Sequence, residues 1–425
     1  MARLPTLIPL LFAYVVMARI ALSVPRFKSG LFALVNISGF VCLSLQTSYT
    51  EWKNETILSL GPQATIRHVF LIGSYVLAIS AGFYLLRGLA NRKGLLPWVA
   101  FFYPICLLVG FKYFYLTSDA LFDRLGWEDW VIGATIVGLS YMAFRLSYLV
   151  LEVRNGVVEM PRLSEYLGFA FFLPTLVVGP INSYSTHHNS LKNANERPIQ
   201  TGRALLRILV GATKFFFLAN LANQLTYEGI LFDGNRHAFL DLGIAVISYY
   251  LFLYLNFSGF CDIAIGVAAL MGIFVKENFD NPFKARNVKE FWNRWHITLS
   301  EYMRDVIFTP ITKGVVAKFG VKYTNIGVSI GVLCVFLVIG IWHGVGIFFV
   351  VFGLLHASGV ISNHYYTVWI KRVLGKQRYN AYNENPFVNA AAMALTFMYV
   401  AASFAVFANS YGRFGMIRNA LFAGS

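Results

Sequence analysis

Long apolar runs separated by short polar interruptions make up most of this chain. Runs of roughly 17 to 25 residues, the length that crosses a bilayer as a helix, lie near Leu4 to Val24, Leu31 to Leu45, Val69 to Leu89, Leu95 to Leu116, Trp130 to Leu151 and Tyr166 to Ile181. Others lie near Ala204 to Leu221, Ala238 to Phe257, Gly259 to Phe274, Tyr323 to Ile341, Val345 to Ile361 and Phe387 to Asn409. The pattern predicts an all-α polytopic membrane protein with about eleven or twelve transmembrane or re-entrant helices. The first run has little basic charge before it and no clear small-x-small cleavage site, so it reads as a retained first helix. No composition shift divides the chain, which reads as a single integral-membrane domain over residues 1–425.

Composition agrees with the pattern. With 57% hydrophobic and only 13% charged residues and a mean hydropathy of +0.60, the chain is too apolar for a soluble protein and too uniformly so for a single anchor. Cys42, Cys106, Cys261 and Cys334 all fall in apolar runs without paired spacing, so they read as small core residues. The net charge of +15 sits on residues that flank helices, which argues against nucleic acid and for topology signals and contacts to anionic lipid.

The charge distribution orients the chain. Arg26 and Lys28, then Arg87, Arg92 and Lys93, mark basic loops, whereas Asp119, Asp123, Glu128 and Asp129 mark an acidic one. The positive-inside rule then puts the N-terminus outside and the first loop in the cytoplasm. Alternation conflicts with the basic stretch Ser183 to Arg207, which carries Lys192, Arg197, Arg203 and Arg207. Either this loop defies the rule, or Tyr166 to Ile181, interrupted by Pro174 and Gly179-Pro180, dips into the membrane and returns.

Candidate chemistry rests on ionisable groups at membrane depth, which are rare and costly there. The longest polar interruption, Lys276 to about Lys322, leads into a segment where Phe291, Trp295, Leu299 and Met303 recur every four residues, predicting one amphipathic helix at the interface or lining a cavity. His296 lies at the edge of that stripe, either as an interfacial histidine held by a carbonyl or headgroup, or as a functional one. His343 lies among apolar residues, with Gly340, Gly344 and Gly346 permitting close helix approach or a bend. It is either a packed core histidine or part of a site.

Arg145 and Glu152, seven residues apart, share a helix face and either line a common polar cavity or form a structural charge network. Asp262 follows Ser258 in a polar interruption and either orients a histidine or caps a broken helix. Lys112 and Lys214 lie near span ends or within reach of an interface.

No phosphate-binding GxxxxGK[ST] or dinucleotide GxGxxG is present, and Gly327-Val328-Ser329-Ile330-Gly331 matches a nucleophile elbow only inside an apolar helix, where the required strand-to-helix turn is missing. His187-His188 is a pair in a polar loop, and neither HExxH nor a Cys/His cluster points to a metal. What remains is acid and base chemistry by histidine, which needs no covalent enzyme intermediate.

The run Asn256-Phe257-Ser258-Gly259-Phe260-Cys261-Asp262, then Glu277-Asn278-Phe279, Asn281-Pro282-Phe283 and Phe291-Trp292-Asn293-Arg294-Trp295-His296 with Leu299-Ser300 and Arg304-Asp305, closely resembles the membrane-bound O-acyltransferase family. The likeness is to its bacterial branch, which serves alginate O-acetylation and teichoic-acid D-alanylation. Trp342-His343-Gly344 and Gly353-Leu354-Leu355-His356 extend it, and weaker matches at Gly138-Leu139-Ser140-Tyr141, Ser147-Tyr148, Pro174 and Gly179-Pro180-Ile181 bring the motif core to about residues 138–356.

The resemblance implies helices around a central cavity in the cytoplasmic (inner) membrane. It implies an acyl-thioester co-substrate, acetyl-CoA or acyl carrier protein, on the cytoplasmic side, no bound cofactor, and an extracytoplasmic partner protein that passes the acyl group on. His343 is similar to the catalytic histidine and His296 to its companion. Trp295, Asn293, Arg294, Ser300, Arg304, Asp305, Asp262, Ser258, Arg145, Glu152 and Trp342 are the candidate cavity-lining residues. Departures at Asn256, Glu152, Thr312-Lys313-Gly314 and Phe407-Ala408-Asn409 tilt the expected substrate from alginate toward D-alanylation or another envelope polymer. The competing readings are a transporter or flippase whose path runs past Arg145, Glu152 and Asp262, and a non-catalytic scaffold.

Overall fold

A computed structural model describes residues 4–24, 28–53, 62–110, 138–194, 198–232, 235–344 and 346–422. The acidic stretch Asp119 to Asp129, Lys112, Arg26, Arg197 and the parts of two expected spans that fall at 111–137 lie outside them. Among the described residues the chain is helical throughout and contains no strand; an isolated antiparallel bridge joins Phe279 and Trp295.

Among the described residues six helices are long and apolar enough to cross a membrane: Ile72–Leu89, Thr201–Asn223, Phe239–Leu270, Val321–His343, Ile347–Glu384 and Pro386–Ala408. Shorter apolar helices are Leu11–Ser23, Lys28–Ser44 and Leu96–Val109. The protein is therefore a multi-pass membrane protein, although among the described residues this is fewer than the expected dozen or so elements. One reason is that Ala238 to Phe257 and Gly259 to Phe274 are not two spans but one helix of 32 residues, Phe239–Leu270. Gly259 does not break it. A Cβ there would lie 2.8 Å from the Gly211 carbonyl oxygen and from the Phe215 nitrogen, so the glycine admits the backbone of a neighbouring segment. That segment, Thr213–Leu218, is wound as a π-helix. Cys42 and Cys106 face outward instead of into a core.

The chain forms two compact units, Met1–Leu209 with Cys261–Lys276, and Val210–Phe260 with Glu277–Ser425. In the first, Tyr14, Ala18, Leu22, Phe32 and Phe172 pack with Ile265, Ala268 and Met271. The expected run Tyr166 to Ile181 is broken as its prolines and glycine predict: the helix Leu163–Ala170 stops and a single 3-10 turn, Leu173–Thr175, follows. Buried polar side chains satisfy the broken backbone. The Arg145 guanidinium donates to the carbonyls of Phe169 (3.1 Å) and Thr175 (2.9 Å). The Leu173 N–H donates to Asn36 Oδ1 at 3.0 Å, and the Tyr14 hydroxyl donates to the same oxygen at 2.8 Å. Unpaired backbone groups in hydrocarbon cost several kcal/mol each, so these side chains make the irregular turn tolerable.

In the second unit the helices Thr324–His343 and Ile347–Glu384 form a hairpin clamped by glycine. A Cβ at Gly340 would come within 2.4 Å of the Phe349 carbonyl oxygen, and one at Gly353 within 2.3 Å of the Phe336 carbonyl oxygen. The two backbones therefore touch at reciprocal points, the close approach that small residues allow between membrane helices. The longer helix is interrupted at Gly375, where φ is 66° and ψ 173°.

Any side chain at Gly340 or Gly353 must push the hairpin apart. Gly353→Val is expected to lower stability by about 1–3 kcal/mol, the usual range for overpacking, read as a drop in the thermal midpoint of the detergent-solubilised protein. Gly30→Val, where a Cβ meets nothing within 4 Å, serves as the control with little change.

Candidate active site

The segment around His296 is not the single amphipathic helix that its four-residue repeat predicts. Two short helices, Val288–Arg294 and Ile297–Met303, meet at a break in Trp295-His296. The break is held by backbone pairing with the preceding loop: Asp280 N–H donates to the Arg294 carbonyl (2.9 Å) and Ile297 N–H to the Asn278 carbonyl (3.0 Å). His296 itself sits at φ 46°, ψ 51°, the left-handed region that non-glycine residues seldom occupy and that recurs at functional sites. Phe291, Trp295, Leu299 and Met303 are buried, and His296 is only 4% exposed. The stripe faces a protein core, and the interfacial alternative for His296 falls.

Asn278 fixes the chemistry of that imidazole. The backbone N–H of Thr298 donates to Asn278 Oδ1 at 3.2 Å and the Thr298 hydroxyl donates to it at 2.9 Å. An atom that faces a backbone N–H is an acceptor, so the His296 Nδ1 at 3.3 Å from the same oxygen must carry a proton. Nε2 is then the lone-pair, basic position of the ring. The ring lies edge-on to Phe257 at 4.8 Å and 6.5 Å from Trp342. Burial, and secondarily the neighbouring His343, push the His296 pKa down to about 3, so the imidazole is neutral near pH 7.

His343 is the last residue of its helix, followed by Gly344 in an extended conformation. Its ring packs 4.5 Å from Trp342, 4.9 Å from Phe407 and 6.1 Å from Phe352. It is half-buried. Trp342 is a ring neighbour of both histidines.

A third histidine is occupied differently. The Trp292 indole N–H donates to His356 Nδ1 at 3.1 Å, His356 Nε2 lies 2.9 Å from Ser403 Oγ, and that hydroxyl donates to the Val400 carbonyl at 2.7 Å. An indole only donates, so the proton sits on Nε2 and both ring nitrogens are spent on protein. His356 is a structural histidine by hydrogen-bond count.

The remaining candidates divide. Trp295 packs among Tyr250, Phe279, Phe291 and Phe404. The Ser258 and Ser300 hydroxyls are buried and have no hydrogen-bond partner among the described residues, which leaves capacity for a ligand or water. Asn293 is exposed. Arg294 forms ion pairs with Asp280 (3.1 Å) and Glu290 (3.0 Å), and Arg304 with Asp305 at 3.2 Å near the surface.

In the first unit Arg145 and Glu152 are bound to different parts of the protein. Arg145 satisfies the broken turn, and Glu152 accepts from the backbone of Tyr184 (2.7 Å) and Ser185 (3.2 Å) and from the Ser185 hydroxyl (2.5 Å) at the start of the helix Tyr184–Lys192. Asp262 caps no broken helix; it accepts from Arg207 Nε (3.1 Å) and NH2 (3.0 Å). Asn278 and Phe257, both within the motif runs, stand beside His296 without having been singled out by charge or spacing.

Two outcomes test this arrangement. Asn278→Ala, which frees the His296 tautomer and leaves the Thr298 N–H and hydroxyl without their acceptor, should lower the rate of proton transfer at the site at least about tenfold and lower the thermal midpoint as well. Because burial depresses the folded His296 pKa below the 6.5 of a free imidazole, the stability it contributes is complete above pH 6.5 and is lost as pH falls toward 3. His296→Gln should therefore show a shallower loss of thermal stability between about pH 7 and about pH 5 than the wild type.

A sequence model of the membrane-bound O-acyltransferase family matches residues 28–405. The chain is 30% identical over 284 residues to the teichoic acid D-alanyltransferase of Streptococcus thermophilus, covering 64% of this chain and 68% of that protein. It is 31% identical over 165 residues to the peptidoglycan O-acetyltransferase of Helicobacter pylori (38% and 31% covered). It is 26% identical over 213 residues to a probable alginate O-acetylase of Pseudomonas aeruginosa (49% and 41% covered). The matched residues include both histidine segments and the spans around them, and the chain belongs to the membrane-bound O-acyltransferase family, a multi-pass membrane enzyme that transfers acyl groups to oxygen.

Proposed function

We propose that the enzyme moves an acetyl or D-alanyl group from a thioester donor on the cytoplasmic side to a hydroxyl of a cell-envelope polymer or its carrier outside the cytoplasmic membrane. The observation that carries this reading is the pairing of a half-buried His343 at a helix end with a buried His296 whose protonation is fixed by Asn278. His343 takes the proton from the acceptor hydroxyl as that oxygen attacks the thioester carbonyl carbon. The tetrahedral intermediate collapses, the carbon–sulfur bond breaks, and the departing thiolate takes the proton from the His343 imidazolium. The ester and a free thiol are the products. His296, neutral and rigid, presents Nε2 as an acceptor that orients a donor or acceptor N–H or O–H, and the Ser258 and Ser300 hydroxyls supply further contacts.

The donor is acetyl-CoA or an acyl carrier protein, and a separate extracytoplasmic protein hands the acyl group to the polymer. Relatives named for teichoic acid, peptidoglycan and alginate support an envelope polymer as the final acceptor. A translocation path along Arg145, Glu152 and Asp262 has less support, since each of these groups is bound to the protein itself.

Purified protein in nanodiscs, given labelled acetyl-CoA or D-alanyl carrier protein and a polymer or carrier hydroxyl, should release free thiol in step with ester formation. His343→Ala is expected to lower the rate by at least about a hundredfold with unchanged membrane insertion; undiminished turnover overturns the assignment.

A further inference from the structure

In the first unit a groove of about 600 Å³ opens between the starts of the helices Lys28–Lys53 and Leu163–Ala170. Its walls are Leu31, Leu34 and Ile37 on one side and Leu163 and Leu167 on the other, spaced along one face of each helix. Gly30 forms an open part of the wall, since a Cβ there would meet nothing within 4 Å. The mouth is polar and basic. Arg162 stands exposed at it, the Ser29 and Ser164 hydroxyls are bonded to each other at 2.9 Å, and Lys28 reaches the Lys192 carbonyl at 3.4 Å. Glu165 is turned to the Arg162 backbone N–H, 2.9 Å away.

We propose that this groove binds one molecule of an acidic glycerophospholipid, an acyl chain between the two helices and its phosphate against Arg162. The chain spans a membrane, so an outward apolar groove is filled from the bilayer. Apolar lining alone gives no preference, because lipid tails are as apolar in the bilayer as in the groove. Selection must come from the mouth, where the basic groups Arg162 and Lys28 complement a phosphodiester whose headgroup bears no compensating positive charge. The same basic groups flank the spans as topology signals, so one set of side chains both orients the helices and holds the lipid.

The test is native mass spectrometry of the full-length protein released from nanodiscs of phosphatidylglycerol and phosphatidylcholine in equal parts. Wild type should retain one phosphatidylglycerol per chain in preference to phosphatidylcholine. Gly30→Phe should fill the groove without a backbone clash and abolish retention of either lipid at an unchanged thermal midpoint. Arg162→Gln, at an exposed position, should keep a lipid but reduce the preference for phosphatidylglycerol by about fivefold. Equal retention of both lipids by wild type, undiminished phosphatidylglycerol on Gly30→Phe, or a second copy of the chain seated across the groove each overturns the proposal.

Discussion

Backbone satisfaction in a medium without water is the constraint on which the rest of this structure depends. Wherever the chain leaves the helix inside the protein, it must bring polar side chains to the exposed carbonyl and N–H groups. Arg145 and Asn36 do this for the turn after Ala170, Glu152 for the start of the helix at Tyr184, and Asn278 with its own carbonyl for the break at His296. These buried polar groups are thereby accounted for by the fold itself. The groups left over acquire meaning by contrast, above all the Ser258 and Ser300 hydroxyls.

The same bookkeeping separates three histidines that composition cannot tell apart. His356 spends both nitrogens on Trp292 and Ser403. His296 spends Nδ1 on Asn278 and keeps Nε2 as its basic face. His343 terminates a helix against Trp342 and Phe407, with extended Gly344 behind it. Donor and acceptor chemistry, not depth in the membrane, is what tells the three imidazoles apart.

The helical class and the family were legible in the sequence because each rests on a strong local signal: long apolar runs, and motif runs with polar residues where apolar ones are the rule. The breaks were legible where proline forced them, as at Pro174, and illegible where long-range pairing forced them. Nothing in the four-residue repeat of Phe291, Trp295, Leu299 and Met303 reports that Phe279 pairs with Trp295 and splits the helix. Gly259 misled in the opposite direction, since a glycine at a contact and a glycine at a break look alike in one sequence. Arg145, Glu152 and Asp262 attracted attention as intramembrane charges, and the partners that make two of them structural lie 24 to 33 residues away in sequence.

The unequal roles proposed for His296 and His343 match their unequal backbones. A residue held at φ 46° between two helices, with its side chain bonded to an asparagine that itself holds the turn, loses little by way of adjustment when a substrate arrives. Such a group suits orientation, where geometry must be set beforehand. A residue beside the turn of a glycine-clamped hairpin, half-buried against aromatic rings, keeps part of its ring accessible while the clamp at Gly340 and Gly353 fixes the helix that carries it. Proton transfer requires a group that meets the reacting oxygen and can hold a transient positive charge, and the partly exposed ring pays less for that charge than the buried one does.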